Sequence, residues 1–98
     1  MTNYVTFELR RQSDSLVYVF DRRLRADGSY GYLRRDQDLW VTWHAHLGWV
    51  AYDEATGSIM GRPWDVQPEQ QNPNHPPEGI WVSRKAEKSY VYSLHFVA

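Results

Sequence analysis

The sequence predicts an all-β fold: a single antiparallel sandwich or small barrel of about seven or eight short strands, with a proline-rich loop near residues 67–79. The residues that favour strands (Val, Ile, Phe, Tyr, Trp and Thr) number 30, against 13 for Ala and Leu together. Several segments alternate apolar and polar side chains, and turn signals separate them roughly every eight to twelve residues. Both observations favour sheet over helix.

The first strand is predicted in residues 4–11 from side-chain alternation. Val5, Phe7 and Leu9 point to one side, and the polar or charged residues between them point to the other, which is the pattern of a strand buried on one face. Residues 12–15 follow as a polar turn.

The second strand is apolar over residues 16–20 and becomes basic at Arg22 and Arg23, so we expect it to run from the core to an exposed end. Residues 26–29 contain an Asp-Gly pair between two strand patterns, which predicts a hairpin with a type I′ turn. Residues 30–34 form its returning strand.

Residues 39–46 are predicted to form the next strand, with alternating faces. Residues 49–53 and 58–61 are predicted as two short strands joined by a tight turn, in which Gly57 takes the left-handed conformation. One face of the longer strand carries Leu39, Val41, Trp43 and Ala45, and the other carries Trp40, Thr42, His44 and His46.

Residues 67–79 contain four of the five prolines and no aliphatic residue, so we expect neither a strand nor a helix to run through them. Strands are predicted to resume at residues 80–84 and 89–97. A structureless stretch of this length is typically functional or mobile.

Residues 53–63 read Asp-Glu-Ala-Thr-Gly-Ser-Ile-Met-Gly-Arg-Pro. This stretch resembles the Asp-Pro-Ala-Thr-Gly-x-Ile-x-Gly-x-Pro signature of immunoglobulin-like and cadherin-like modules found in bacterial surface proteins. The resemblance implies a hairpin at this point, a tyrosine-rich closing strand and a sandwich fold. The chain departs from the pattern in the longer segment between Pro63 and its last strand.

Length and composition restrict the class of protein. The chain has 98 residues, a formal charge of −1 and no cysteine, so we expect one domain over residues 1–98 and no disulfide scaffold. No stretch approaches the roughly 18 consecutive apolar residues of a membrane span, and residues 1–11 lack the pattern of a signal peptide. We therefore expect a soluble cytoplasmic protein with no membrane contact.

The sequence offers little catalytic or metal-binding machinery. His44 and His46 are expected on one strand face, but two imidazoles need further ligands to hold a metal, and solvated histidines are commoner than sites. Asp36 and Asp38 are explained as a polar loop. Without a cysteine nucleophile or a glycine-rich phosphate loop, we expect no metal, no cofactor and a binding module rather than an enzyme.

Arginine and tryptophan provide the candidate binding surfaces. Seven arginines lie between Arg10 and Arg35 among aromatic residues, a combination that suits single-stranded nucleic acid, or exposed strand edges. Five tryptophans exceed the needs of a small core, so we expect three in the core and one or two at a surface, where they would bind protein or sugar. The candidate binding residues are Trp40, His44, His46, Arg62, Trp64, Arg22, Arg23, Arg34 and Arg35.

The leading hypothesis is a non-catalytic β module that binds a protein partner, or a second copy of itself, through a Trp- and Arg-rich surface and the loop at residues 67–79. The first alternative is a single-stranded nucleic-acid-binding module that uses Arg10 to Arg35. The second is a small carbohydrate-binding or hydrolytic protein.

Overall fold

The computed structural model describes residues 4–85 and 87–97 and confirms the all-β prediction. Eight strands each pair antiparallel with the next, and β8 returns to pair with β1, so the sheet closes into a barrel rather than a sandwich. In the described part of the chain, no helix is long and apolar enough to span a membrane. The strands are β1 (Thr6–Arg11), β2 (Val17–Leu24), β3 (Tyr30–Arg34), β4 (Leu39–His44), β5 (Gly48–Asp53), β6 (Ser58–Pro63), β7 (Gly79–Lys85) and β8 (Lys88–Val97).

The core is the inner face of this barrel. Alternate residues of each strand point inward, and the interior of an eight-stranded barrel is just wide enough for side chains to fill it. Phe7 lies opposite both Phe20 and Phe96 in the sheet, and the rings of Phe7 and Phe20 stack with centres 4.9 Å apart. The buried hydrophobic side chains are Phe7, Leu9, Phe20, Tyr32, Val41, Trp49, Val50, Ala51, Trp81, Tyr92 and Leu94.

Of the two turns that the sequence predicts around a glycine, one is confirmed and the other is wrong. Gly57 has a φ of 67° and donates its N–H to the carbonyl of Asp53 at 2.8 Å, which confirms the predicted left-handed residue. The type I′ turn predicted at residues 26–29 is wrong, because Gly28 has a positive φ but Asp27 does not. Asp27 instead accepts the backbone N–H of Ser29 with its carboxylate, so only the glycine needs the left-handed conformation.

Strand β4 ends two residues earlier than predicted. The Nδ1 atom of His44 accepts the backbone N–H groups of His46 and Leu47, each at 3.1 Å, and this contact folds the chain into the turn before β5. His46 therefore lies beyond the strand and not on its face.

Residues 64–78, named here the closing segment, cover one end of the barrel. The segment contains a single turn of 3-10 helix, Pro68–Gln70, where no helix was expected. The indole N–H groups of two core tryptophans donate to its carbonyls: Trp49 to Asn72 at 2.7 Å and Trp81 to Pro77 at 3.2 Å. The proline-rich stretch is thus packed against the barrel, and the opposite end, formed by the β1–β2, β3–β4, β5–β6 and β7–β8 turns, stays open.

Candidate ligand-binding cavity

The inward-facing side chains of several strands change from apolar to polar near the open end of the barrel. On β1 the row passes from Leu9 to Arg11, and on β2 the residue above Phe20 is Tyr18. On β3 the row ends at Arg34. Because side chains alternate strictly along a strand, these polar groups project over the apolar core instead of into solvent. The open end is therefore lined by arginine and tyrosine.

A cavity of about 250 Å³ lies between the core and the open end. Its deeper wall is apolar and its rim is polar. The buried apolar lining residues are Leu9, Phe20, Ala51 and Trp81, and the half-buried ones are Leu39 and Met60. The rim residues include Arg11, Tyr18, Arg34, Gln37, Asp53, Ser83, Tyr90 and Tyr92.

Arg34 is the more enclosed of the two arginines in this cavity. Its side chain is only 11% exposed, and its guanidinium carbon lies 3.7 Å from the centre of the Tyr18 ring. Asp36 lies in the turn that follows β3. It accepts hydrogen bonds from the Nε atom of Arg34 and, at 3.0 Å, from the Nη2 atom of Arg34. The aromatic ring and the carboxylate together fix the guanidinium in the cavity wall.

Arg11 has a parallel arrangement. Its guanidinium lies 4.9 Å from the centre of the Tyr90 ring, and its side chain is 20% exposed. Asp14, in the turn that follows β1, accepts from Nε at 3.1 Å and from Nη2 at 2.6 Å. Two strands of the barrel thus each end in an arginine that is stacked on a tyrosine and held by the aspartate of its own turn.

Electrostatics keep Arg11, Asp14 and Asp36 charged and Tyr92 neutral at neutral pH. The hydrogen bond with Asp14 raises the pKa of Arg11, and burial raises the pKa of the Tyr92 phenol. The hydrogen bonds from Arg11 and Arg34 hold the pKa values of Asp14 and Asp36 below their usual range. The guanidinium of Arg11 and the phenol of Tyr92 therefore stay protonated at neutral pH and can donate hydrogen bonds to an acceptor.

The other arginines of the predicted basic segment lie elsewhere. Arg35 is on the outer surface, where it pairs with Asp21 at 2.7 Å. Arg22 and Arg23 are exposed at the opposite end of the barrel, and the Arg22 guanidinium lies 4.3 Å from the Tyr30 ring centre. The structure thus distributes these residues over both ends and the outside of the barrel.

Trp40 and the two histidines do not share a site. Trp40 is half-buried on the outer face, where it packs against Gly31. The guanidinium carbon of Arg25 lies 5.5 Å from the centre of the Trp40 ring. The rings of His44 and His46 are 6.0 Å apart, and one of them accepts backbone N–H groups. Among residues 4–85 and 87–97, no group of three His, Asp or Glu side chains is arranged to hold a metal.

The tryptophans divide differently from the expectation of three in the core. Trp49 and Trp81 are buried, Trp40 is half-buried, and Trp43 and Trp64 are 39% and 56% exposed. The Arg62 guanidinium lies 4.8 Å from the Trp64 ring centre, so these two predicted residues do meet, outside the barrel and away from the cavity.

Sequence reasoning selected Arg34 but missed its partners in the cavity. Tyr18 lies in the predicted second strand among the aromatic residues of the basic segment, and Tyr90 and Tyr92 lie in the predicted last strand, but none of the three is among the candidate binding residues. The missed signal is that the inward rows of β1, β2, β3 and β8 end in Arg or Tyr instead of an aliphatic residue. Arg11, which follows Phe7 and Leu9 in the alternation, carries the same signal.

No protein-family model, curated protein or solved structure matches this chain. The fold and the cavity define its class: an eight-stranded, up-and-down antiparallel barrel with one end covered and the other open. Folds of this kind carry many functions, so the function depends on the cavity and not on the fold alone.

Proposed function

We propose that this protein is a non-catalytic binding module that takes a small organic molecule into the open end of its barrel. The observation that carries the proposal is the cavity of about 250 Å³, with an apolar base and a polar rim. Ligand sites are typically concave and mostly apolar, with a few polar groups that orient the ligand. Barrels of eight strands are also wide enough to hold one small ligand.

The volume limits the size of the ligand. An apolar cavity of roughly 150 Å³ accommodates benzene, whereas pockets for drug-sized molecules begin at roughly 300 Å³. By proportion, a cavity of about 250 Å³ suits a molecule of roughly ten non-hydrogen atoms, such as one ring with a short substituent.

A neutral probe of this size tests the proposal without depending on charge. We expect phenylacetamide to bind the intact chain with a dissociation constant of about a millimolar or tighter in isothermal titration calorimetry. Trp81 lines the cavity, so its fluorescence should change with the same midpoint.

A matched pair of variants locates the bound probe. Ser83 lines the cavity, and Ser89 is exposed near the same end of the barrel. Ser83→Leu fills the cavity and should weaken binding at least tenfold, whereas Ser89→Leu should leave it unchanged. Lack of binding by the parent chain, or equal binding by both variants, would remove the proposal.

The hypothesis of a protein partner or a second copy of the chain stays a prediction. It is supported by the exposed Trp64 beside Arg62, since tryptophan and arginine are enriched at the centres of interfaces. This surface is separate from the cavity, so Trp64→Ala should weaken an association in sedimentation velocity and leave phenylacetamide binding unchanged.

The nucleic-acid hypothesis has less support. Five of its seven arginines pair with carboxylates among the described residues, and the seven are spread over both ends and the outside of the barrel instead of lining one groove that a nucleic-acid strand could follow. The five pairs are Arg10 with Glu8, Arg11 with Asp14, Arg25 with Glu54, Arg34 with Asp36 and Arg35 with Asp21.

A further inference from the structure

Every polar side chain on the rim of the cavity except Asp53 can donate hydrogen bonds, and the two guanidinium groups can only donate. Two guanidinium groups, three phenols, one hydroxyl and one amide line it, and Asp53 is the one carboxylate among the described lining residues. One oxygen of Asp53 already accepts the backbone N–H of Ala55 at 2.9 Å. A ligand that offers acceptors, and negative charge in particular, complements this rim better than one that offers donors.

The free edge of Arg34 provides a specific contact. A guanidinium has five N–H groups in a rigid fork, and Asp36 uses only the Nε side of it. Within residues 4–85 and 87–97, Nη1 of Arg34 has no hydrogen-bond acceptor. Because the side chain is only 11% exposed and Tyr18 stacks on its face, this edge is held in place in a partly desolvated setting.

Arg11 places a second cation on the same rim. The rings of Tyr18 and Tyr92 have centres 6.0 Å apart, and the two arginines flank this pair: Arg34 stacks on Tyr18, and Arg11 lies opposite Tyr92 in the pairing of β1 with β8. An anion above the two tyrosines would therefore face both guanidinium groups.

We propose that the ligand is a small organic anion, with a carboxylate or a similar head group, that binds the Nη edge of Arg34 with Arg11 as a second positive group. This inference rests on the proposed function and adds the chemical class of the ligand. The apolar body of the ligand extends from the tyrosines along Met60 towards the buried Trp81.

Three probes of one shape and different charge test the proposal on the unmodified chain. Phenylacetate, phenylacetamide and phenethylammonium share the ring and differ in the head group. Since a charge-assisted hydrogen bond is roughly twice as strong as a neutral one, we expect phenylacetate to bind about tenfold tighter than phenylacetamide, and phenethylammonium to bind weakest. Equal affinities for all three would overturn the inference and leave the proposed function standing, whereas binding of none would remove both.

Adjacent arginines on opposite faces of the sheet give the matched variants. Arg34→Gln removes the charge inside the cavity, and Arg35→Gln removes one on the outer surface; each parent residue pairs with an aspartate. Arg34→Gln should lower the affinity for phenylacetate about tenfold and leave that for phenylacetamide within about twofold. Arg35→Gln should change neither affinity. An equal effect of the two variants on phenylacetate binding would show long-range charge rather than a contact, and it would contradict the inference.

Salt provides a check that needs no variant. A contact with a partly buried guanidinium is screened less than attraction to a general positive field. The preference for phenylacetate over phenylacetamide should therefore persist at about 0.5 M salt, and its loss there would overturn the inference.

Discussion

The backbone N–H of Trp49 donates a hydrogen bond to the Oε1 atom of Gln71, 2.8 Å away. The Nε2 atom of the same amide donates to the carbonyl of Val66 at 3.0 Å, and Gln71 is 9% exposed. One buried side chain therefore connects the start of β5 to two points of the closing segment.

Gln71→Ala should lower the free energy of unfolding by about 2–3 kcal/mol, because it leaves the buried N–H of Trp49 without an acceptor and opens a space beneath it. Gln70→Ala, at an exposed neighbouring position, is the control and should cost under about 0.5 kcal/mol. Urea unfolding measures both. Equal stability of the two variants would mean that the closing segment is held by other contacts.

Alanine substitutions at Gly48 and Gly57 distinguish the cost of backbone strain from the cost of a steric clash. Gly48 has a φ of 77°, and a Cβ atom there would lie 2.4 Å from Oε1 of Gln71. Gly57 has a φ of 67°, but its nearest neighbour would be the Tyr52 hydroxyl at 3.6 Å. Gly57→Ala should therefore cost about 1–2 kcal/mol from strain alone. Gly48→Ala should cost at least about 1 kcal/mol more, because it also displaces Gln71. Similar costs in urea unfolding would contradict the contact between Gly48 and Gln71.

We expect the free energy of unfolding to fall at alkaline pH because the Tyr32 phenol is buried. It is 1% exposed, its hydroxyl donates to the carbonyl of Tyr4, and burial raises its pKa to about 12. The folded state holds this proton more tightly than the unfolded state, so the stabilisation is complete below about pH 10 and is lost as the pH rises through about 12. Tyr32→Phe should lose about 1 kcal/mol at neutral pH and unfold with a shallower alkaline dependence. Tyr30→Phe, at the exposed start of the same strand, should keep the parent slope.

We expect the free energy of unfolding to fall at acidic pH as well, because the folded state stabilises the ionised carboxylate of Asp21. Arg35 and Thr6 donate to its carboxylate at 2.7 Å and 2.8 Å, and these hydrogen bonds lower its pKa below the usual value. The stabilisation is therefore complete above about pH 4 and is lost as the pH falls through the lowered native pKa. Asp21→Asn should cost about 1 kcal/mol at neutral pH and flatten the loss of stability between about pH 4 and pH 2. Asp38→Asn, an exposed change in the β3–β4 turn, is the control in the same urea titrations.

The sheet itself could be predicted from the sequence because its signals are local. Alternation placed Phe7 and Leu9 on one face, and Gly57 marked a turn whose left-handed conformation is confirmed. The choice between a barrel and the sandwich implied by residues 53–63 depends on the pairing of β1 with β8, which joins the two ends of the chain. No local pattern encodes such a contact.

The cavity was harder to predict for the same reason. Arg34 was selected for its charge, but its role depends on Tyr18 from another strand and on the inward direction of its side chain. The packing of the proline-rich stretch could not be predicted from the sequence, because proline prevents regular structure but not packing. Pro76 is fully buried, and the carbonyl of Pro77 accepts the indole N–H of Trp81.

Binding of a small organic molecule at the open end of the barrel is tested most directly by NMR on the intact chain with phenylacetate. We expect nuclear Overhauser effects from the phenyl protons to the methyl groups of Leu39 and Met60 in the cavity wall, with the Trp64 indole resonance unchanged. Contacts with Trp64 or Trp43, and none with Leu39 and Met60, would place the ligand on the outer surface or at the covered end and contradict the proposed function.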